Sequence, residues 1–185
     1  MSKTRMLILF AAAGVILALV LSVYFYRSNL GPTRGEVTAL LEDFFGKIAA
    51  NDLPGARALM TNETRSLLRE PGTMLGQTVY QQLKLKSVDD VFADGGLYVA
   101  DVTLTGLDTL KVTTKAGMLF AEQVTESGPV DDPDQAMAEI YEEILTRDDL
   151  PLVDNFCMIR MEMRNGKLLI LADTTLQQTI EGISF

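Results

Sequence analysis

From Met6 to Tyr26 the chain runs for 21 residues through Leu, Ile, Ala, Val and Phe without a charge. At about 1.5 Å per residue, a helix of that length is roughly 30 Å long, the thickness of a bilayer's hydrocarbon core. A core helix of a water-soluble domain keeps a polar side toward solvent, and this stretch has none. The segment is therefore read as a transmembrane helix, with residues 1–5 as a cytoplasmic tail and 27–35 as a linker. A folded domain is expected over 36–185.

A cleaved signal peptide is the rival reading, since Lys3 and Arg5 precede the run. The apolar stretch is longer than the usual cleavable core of about 7–15 residues, and its exit, Val23-Tyr24-Phe25-Tyr26-Arg27, lacks small residues for cleavage. Bulky aromatics at that depth suit a membrane interface. Flanking charge says little about orientation, because Arg27 and Arg34 nearly balance Lys3 and Arg5. A short leading tail beside a large C-terminal domain is the usual signal-anchor layout, so the domain is expected outside the cytoplasm.

Residues 28–185 keep 13 of the 16 Lys and Arg but all 25 Asp and Glu, a formal charge of −12. Such a surface repels nucleic acid and anionic lipid, so no nucleic-acid partner is expected. One cysteine, Cys157, excludes an intramolecular disulfide, and the chain contains no histidine. The domain must therefore be held by its core, for which about 158 residues suffice.

After the Gly31-Pro32 break, Val37, Leu40, Leu41, Phe44, Phe45 and Ile48 recur at helical steps from Glu36 to Ala50. Asp52 and Pro54 mark the cap and first turn of a second helix carrying Ala56, Ala58, Leu59 and Met60. A third short piece buries Leu67 and Leu68, and Met74 to Leu83 adds a further turn or two. The segments 84–88 and 97–105 then read as strands around Asp94-Gly95-Gly96, with Tyr98, Ala100, Val102 and Leu104 on one face. Between Thr109 and Val124, Thr113 and Thr114 favour strand while Lys115 to Gln123 favours helix. The segment is read as helix from about Asp108. A further helix follows Pro133, with Ala136, Met137, Ile140, Tyr141, Ile144 and Leu145 as its apolar stripe.

Asn165-Gly166 then closes a β-hairpin. Pairing Arg164 with Lys167 sets Met163 against Leu168, Met161 against Ile170 and Ile159 against Ala172, so one surface is wholly apolar and forms core. The other surface carries Phe156, Met158, Leu169 and Leu171 among charges. Those are many apolar groups for a solvated face, and they are the candidate interface residues. The competing reading is that helices of the same chain cover them.

Helices followed by an antiparallel sheet ending in a long hairpin resemble the cone-shaped nuclear transport factor two-like, or SnoaL-like, fold. Phe44-Phe45-Gly46-Lys47-Ile48-Ala49-Ala50-Asn51-Asp52-Leu53-Pro54-Gly55-Ala56-Arg57-Ala58-Leu59-Met60 carries the resemblance, with Asn165 to Ile170 matching the last strands. The family's common tryptophan after that turn is absent. The resemblance implies an α+β domain of N-terminal helices on a curved antiparallel sheet, with a helical insertion around Thr105 to Leu145. More narrowly, the resemblance is to anchored extracytoplasmic proteins of the bacterial envelope, here with a transmembrane helix in place of an acylated cysteine. It further implies a pocket between the first helix and the concave sheet, with Phe44, Tyr98 and Tyr141 as candidate lining.

Chemistry is sparse. Without histidine the commonest general base is missing, and Cys157 falls on the apolar hairpin face, as an inert thiol does. Asp131, Asp132 and Asp134 lack the alternating ligands of an EF-hand and suit a helix start. Ketosteroid isomerase, of the same fold family, uses Tyr and Asp in its cone, which draws attention to Tyr98, Asp101, Tyr141 and Asp154. Tyr98 and Asp101 alternate to opposite faces of one strand, and no residue matches a catalytic motif. No catalytic, cofactor-binding or metal-binding residue is assigned. The expected role is a non-enzymatic binding or scaffold protein of the envelope, with a homo-oligomer or an envelope protein as partner. The alternatives are binding of a small apolar ligand in the cone and membership of a secretion-type envelope complex.

Overall fold

The computed structural model describes residues 31–182 together with Ile16. Apart from Ile16, the run Met6–Tyr26 and linker residues 27–30 lie outside the described residues. The chain divides into two units, Met1–Thr33 and Arg34–Phe185. Among the described residues no helix is long and apolar enough to cross a membrane.

Helix α1 (Arg34–Ala49) starts two residues before the expected Glu36 and buries Val37, Leu41, Phe44, Phe45 and Ile48. It ends in a left-handed turn: Asn51 has φ 59°, and the Asp52 N–H reaches back to Lys47 O at 2.8 Å. Asp52 then caps α2 (Leu53–Ala58), its carboxylate accepting from the Gly55 N–H at 3.0 Å. A Cβ at position 55 would lie 2.0 Å from Asp52 Oδ2, so any larger residue there would make the capping carboxylate shift. Leu59 and Met60 leave the helix they were expected to continue. A 3-10 turn (Arg65–Leu67) follows, burying Leu68 but leaving Leu67 half-buried. Helix α3 (Met74–Gln82) is capped by Thr73.

The sheet comprises β1 (Lys84–Asp94), β2 (Leu97–Leu107), β3 (Leu152–Arg164) and β4 (Lys167–Leu171), antiparallel throughout and in that order. Gly95 and Gly96 turn the first hairpin at φ 56° and 87°, a conformation that glycine adopts without strain. β1 runs well beyond the expected 84–88, because two bulges, near Lys86 and Asp89, let it follow β2 to its end. In the second hairpin Arg164 pairs with Lys167, Met163 with Leu168 and Met161 with Ile170, as expected; β4 ends before Ala172.

Helices α4 (Thr109–Ser127) and α5 (Pro133–Leu145) connect β2 to β3, so the segment after Asp108 is helical throughout. The Asp108 carboxylate accepts from Lys111 N–H, and Asp132 accepts from Gln135 N–H, each at 3.0 Å. A last helix, α6 (Thr174–Ile180), was not anticipated from the sequence.

All these helices contribute to one core against one face of the sheet. Phe44, Leu41 and Ile48 of α1, Val112 and Ala116 of α4, Ile144 of α5 and Leu176 of α6 join Ala100, Val102, Leu104, Ile159, Met161 and Ile170. The molecule is thus α+β, a four-stranded antiparallel sheet with helices packed against it. Its two edges differ. The Met60 bridge to Ile170 pairs the free side of β4, with Thr61 N–H donating to Ile170 O and Ile170 N–H to Leu59 O, both at 2.9 Å. Among the described residues β1 has no such partner strand, and bulges and charges mark it instead.

Candidate functional site

Strand alternation places Asp154, Phe156, Met158 and Arg160 of β3 on the face away from the helices. Their cross-strand partners on β2 are Thr105, Thr103, Asp101 and Val99. Beyond them, Phe92 of β1 pairs with Val99, Leu171 of β4 with Arg160 and Leu169 with Glu162. The centre of this outer face is apolar: Phe156 is 80% exposed, Met158 57% and Phe92 41%. Leu169 and Leu171 are half-buried at its border. A rigid strand therefore holds a phenylalanine out in water with no side chain of its own domain over it.

Charges frame that centre. Asp154 accepts from Lys86 Nζ and, at 2.7 Å, from Thr105 Oγ1; these contacts, Lys86 foremost, hold its carboxyl below the usual range. Asp89 is likewise lowered by the Ser87 and Thr103 hydroxyls. Asp101 Oδ1 is shielded from solvent and accepts no hydrogen bond among the described residues. Arg164 pairs with Glu63 and Glu162, whereas exposed Arg160 makes no ion pair among the described residues.

The four interface residues named from the sequence share one surface, with Phe156 and Met158 much the more accessible. Phe92 was missed because the strand was expected to end at Val88; the signal was Val91-Phe92, two strand-favouring residues just beyond Asp89-Asp90. The three pocket residues do not converge on a cavity. Phe44 is fully buried against Phe45, ring centroids 5.2 Å apart, and Tyr98 and Tyr141 are half-buried parts of the same packing. Clefts lie elsewhere among the described residues, of about 210 Å³ beside Val112, Ile144 and Leu150, about 470 Å³ beside Leu75, Thr109 and Gly182, and about 560 Å³ beside Leu110, Met118 and Leu119. Phe44, Tyr98 and Tyr141 line none of these.

Reactive groups stay apart. Tyr98 faces the core opposite Met161, while Asp101 lies on the outer face opposite Met158. The Cys157 thiol is buried and pushed up to about 12, first by desolvation and then by the charge of Asp173, so it is protonated at neutral pH. Burial raises Tyr80 as well, and its hydroxyl donates to Arg69 O at 2.7 Å. Among the described residues no cluster of three or more Cys, Asp or Glu is placed to hold a metal ion. Comparisons with protein families, curated proteins and solved structures return no match.

Proposed function

We propose that this chain is a single-pass, membrane-anchored extracytoplasmic protein of a bacterial envelope that binds another protein through the outer face of its sheet, without catalysis. The observation that carries this reading is the 80% exposure of Phe156 beside Met158 on a sheet whose opposite face carries the core. An aromatic anchor on a rigid element, rimmed by charges, has the composition of a protein interface. The uncharged run Met6–Tyr26 supports the anchor, and a formal charge of −12 after it disfavours anionic lipid as the occupant. Helices ahead of an antiparallel sheet, with a helical pair between its second and third strands, agree with the nuclear transport factor two-like reading of the domain.

Single cysteines tested on intact cells separate the parts of this proposal. In a Cys157→Ala background, Met118→Cys, exposed on α4, should react with an impermeant maleimide from outside. Phe156→Cys should react several-fold more slowly until urea unfolds the domain. If position 118 labels only after permeabilisation, the outside placement is wrong. Should position 156 label as fast as position 118, the face is uncovered and the binding reading fails.

A further inference from the structure

Cations are scarce after the apolar run, yet Lys111 and Lys115 stand one turn apart on α4, a like-charge spacing that weakens a helix slightly. Both line the cleft of about 210 Å³ between the first turns of α4, the end of α5 and the loop leading into β3. Arg147 and Asp149 of that loop complete the charged rim. Val112, Ile144 and Leu150 form an apolar floor continuous with the core. The walls are tied in place: Asp108 N–H donates to Pro151 O at 2.8 Å, and Thr146 N–H to Glu142 O at 3.1 Å.

The charges of the rim are not equally engaged. Lys111 Nζ lies 3.0 Å from the Asp108 carboxylate, and Arg147 pairs with Glu143. Lys115 and Asp149 line the same cleft but make no ion pair among the described residues, with each other or with any other group. Once Asp108 and Glu143 are counted, acids balance the cations, so a simple anion or a simple cation gains little from the net charge. One unengaged positive group and one unengaged negative group above an apolar floor match a small zwitterion with an aliphatic side chain.

We propose that this cleft binds an aliphatic α-amino acid of the size of leucine. Lys115 takes the carboxylate, Asp149 takes the ammonium, and the side chain covers Val112, Ile144 and Leu150. The cleft is smaller than the pockets of about 300–1,000 Å³ that hold drug-sized ligands, which suits one amino acid better than a peptide. A ligand with only one of the two charges leaves either Lys115 or Asp149 partly desolvated without a partner, so the site selects against it. The cleft lies among the helices, apart from the outer face of the sheet, and its occupancy does not depend on a partner there.

The test is calorimetric titration of the full chain in non-ionic detergent with four probes. They are leucine, 4-methylpentanoate, which lacks the ammonium, 3-methylbutylamine, which lacks the carboxylate, and glycine, which lacks the side chain. Leucine should bind saturably, and 4-methylpentanoate and 3-methylbutylamine about tenfold or more weakly, the size of one hydrogen bond to a charged group. Glycine should be weaker still, because it covers none of the floor. Lys115→Met should bring leucine down to the level of 3-methylbutylamine, and Asp149→Asn should bring it down to that of 4-methylpentanoate. Both side chains are exposed, so urea unfolding of the two variants should match the parent. Absence of saturable leucine binding overturns the proposal, as does either single-charge probe binding the parent chain as tightly as leucine does. Leucine binding that ignores both substitutions overturns it too, because the amino acid then sits elsewhere. The probe comparison on the parent chain decides the matter even if a variant fails to fold.

Discussion

The two faces of β3 differ far more in surroundings than in composition. Toward the helices lie Cys157, Ile159 and Met161, all buried; away from them lie Phe156 and Met158, both largely exposed, then Arg160. Apolar side chains stand on both sides, so alternation alone does not say which face is covered. Connectivity decides it. Helices α1 to α3 precede the sheet, α4 and α5 leave β2 and return to β3, and α6 follows β4, and all contribute to one core on one face. A layer of helices on one side leaves the other with no cover from the domain. Outer residues such as Val99 are buried only beside neighbours, here Phe92 and Arg160.

The sharpest way to break this comparison is to truncate one aromatic from each side. Phe44→Ala empties a fully buried site facing the sheet, and urea unfolding of the full chain should lose about 3–5 kcal/mol. Phe156→Ala removes a side chain that is mostly in water, and should change monomer stability by less than about 0.5 kcal/mol. Comparable losses would mean that Phe156 belongs to a core, and the distinction between the faces would collapse.

A smaller effect tests the element that most decides which face is covered. Asp108 ends the chain's run along β2 and starts α4, its carboxylate accepting from Lys111 N–H while its own N–H donates to Pro151 O at 2.8 Å. Asp108→Ala should destabilise the domain by about 1 kcal/mol, as loss of a helix cap does, whereas Asp108→Asn should recover most of it. The Lys111 N–H is also the largest cause holding the Asp108 carboxyl below its ordinary value of 3.8. A lowered carboxyl contributes stability that is complete above about pH 4 and lost as pH falls through the folded value. The acid-side loss should therefore be shallower in Asp108→Asn than in the parent, and equal slopes would remove Asp108 from this role.

What could be read from the sequence follows the reach of each interaction. Register of the second hairpin was legible because Asn165-Gly166 admits only one tight turn, with Asn165 at φ 51° and Gly166 at φ 75°. The Asp52, Asp132 and Pro133 signals sit next to what they control, and they marked their helices. β1 was cut short because bulges near Lys86 and Asp89 break the two-residue alternation on which a strand is recognised. Met60 was assigned to a helix because its partner, Ile170, lies 110 residues away and leaves no local trace. For the same reason the surface around Phe156 and Met158 was identifiable as unusual, but its exposure depended on where the six helices packed. Phe44, Tyr98 and Tyr141 were grouped as a pocket lining by resemblance; among the described residues they pack on the common core.

The finest test of the two faces lies between Phe156 and Met158, in the thiol that points the other way. Desolvation is the larger cause of the rise of Cys157 from its ordinary 9.0 to about 12, with Asp173 adding to it. The unfolded chain therefore releases this proton well before the folded one. Stability is fully present well below the unfolded value of 9.0 and is lost as pH rises through it toward 12, because ionisation favours the open chain. Between pH 8 and pH 9 the loss should be only about 0.4 kcal/mol, growing toward 1.4 kcal/mol per pH unit above that. Tyrosine and lysine ionisation adds its own slope, so the informative quantity is the difference from Cys157→Ala over the same range. A parent chain whose stability falls more steeply than that of Cys157→Ala locates the thiol in a closed interior one residue from exposed side chains on either side. Identical slopes would mean that water already reaches the inner face at Cys157, and the contrast between the two sides of β3 would be one of degree.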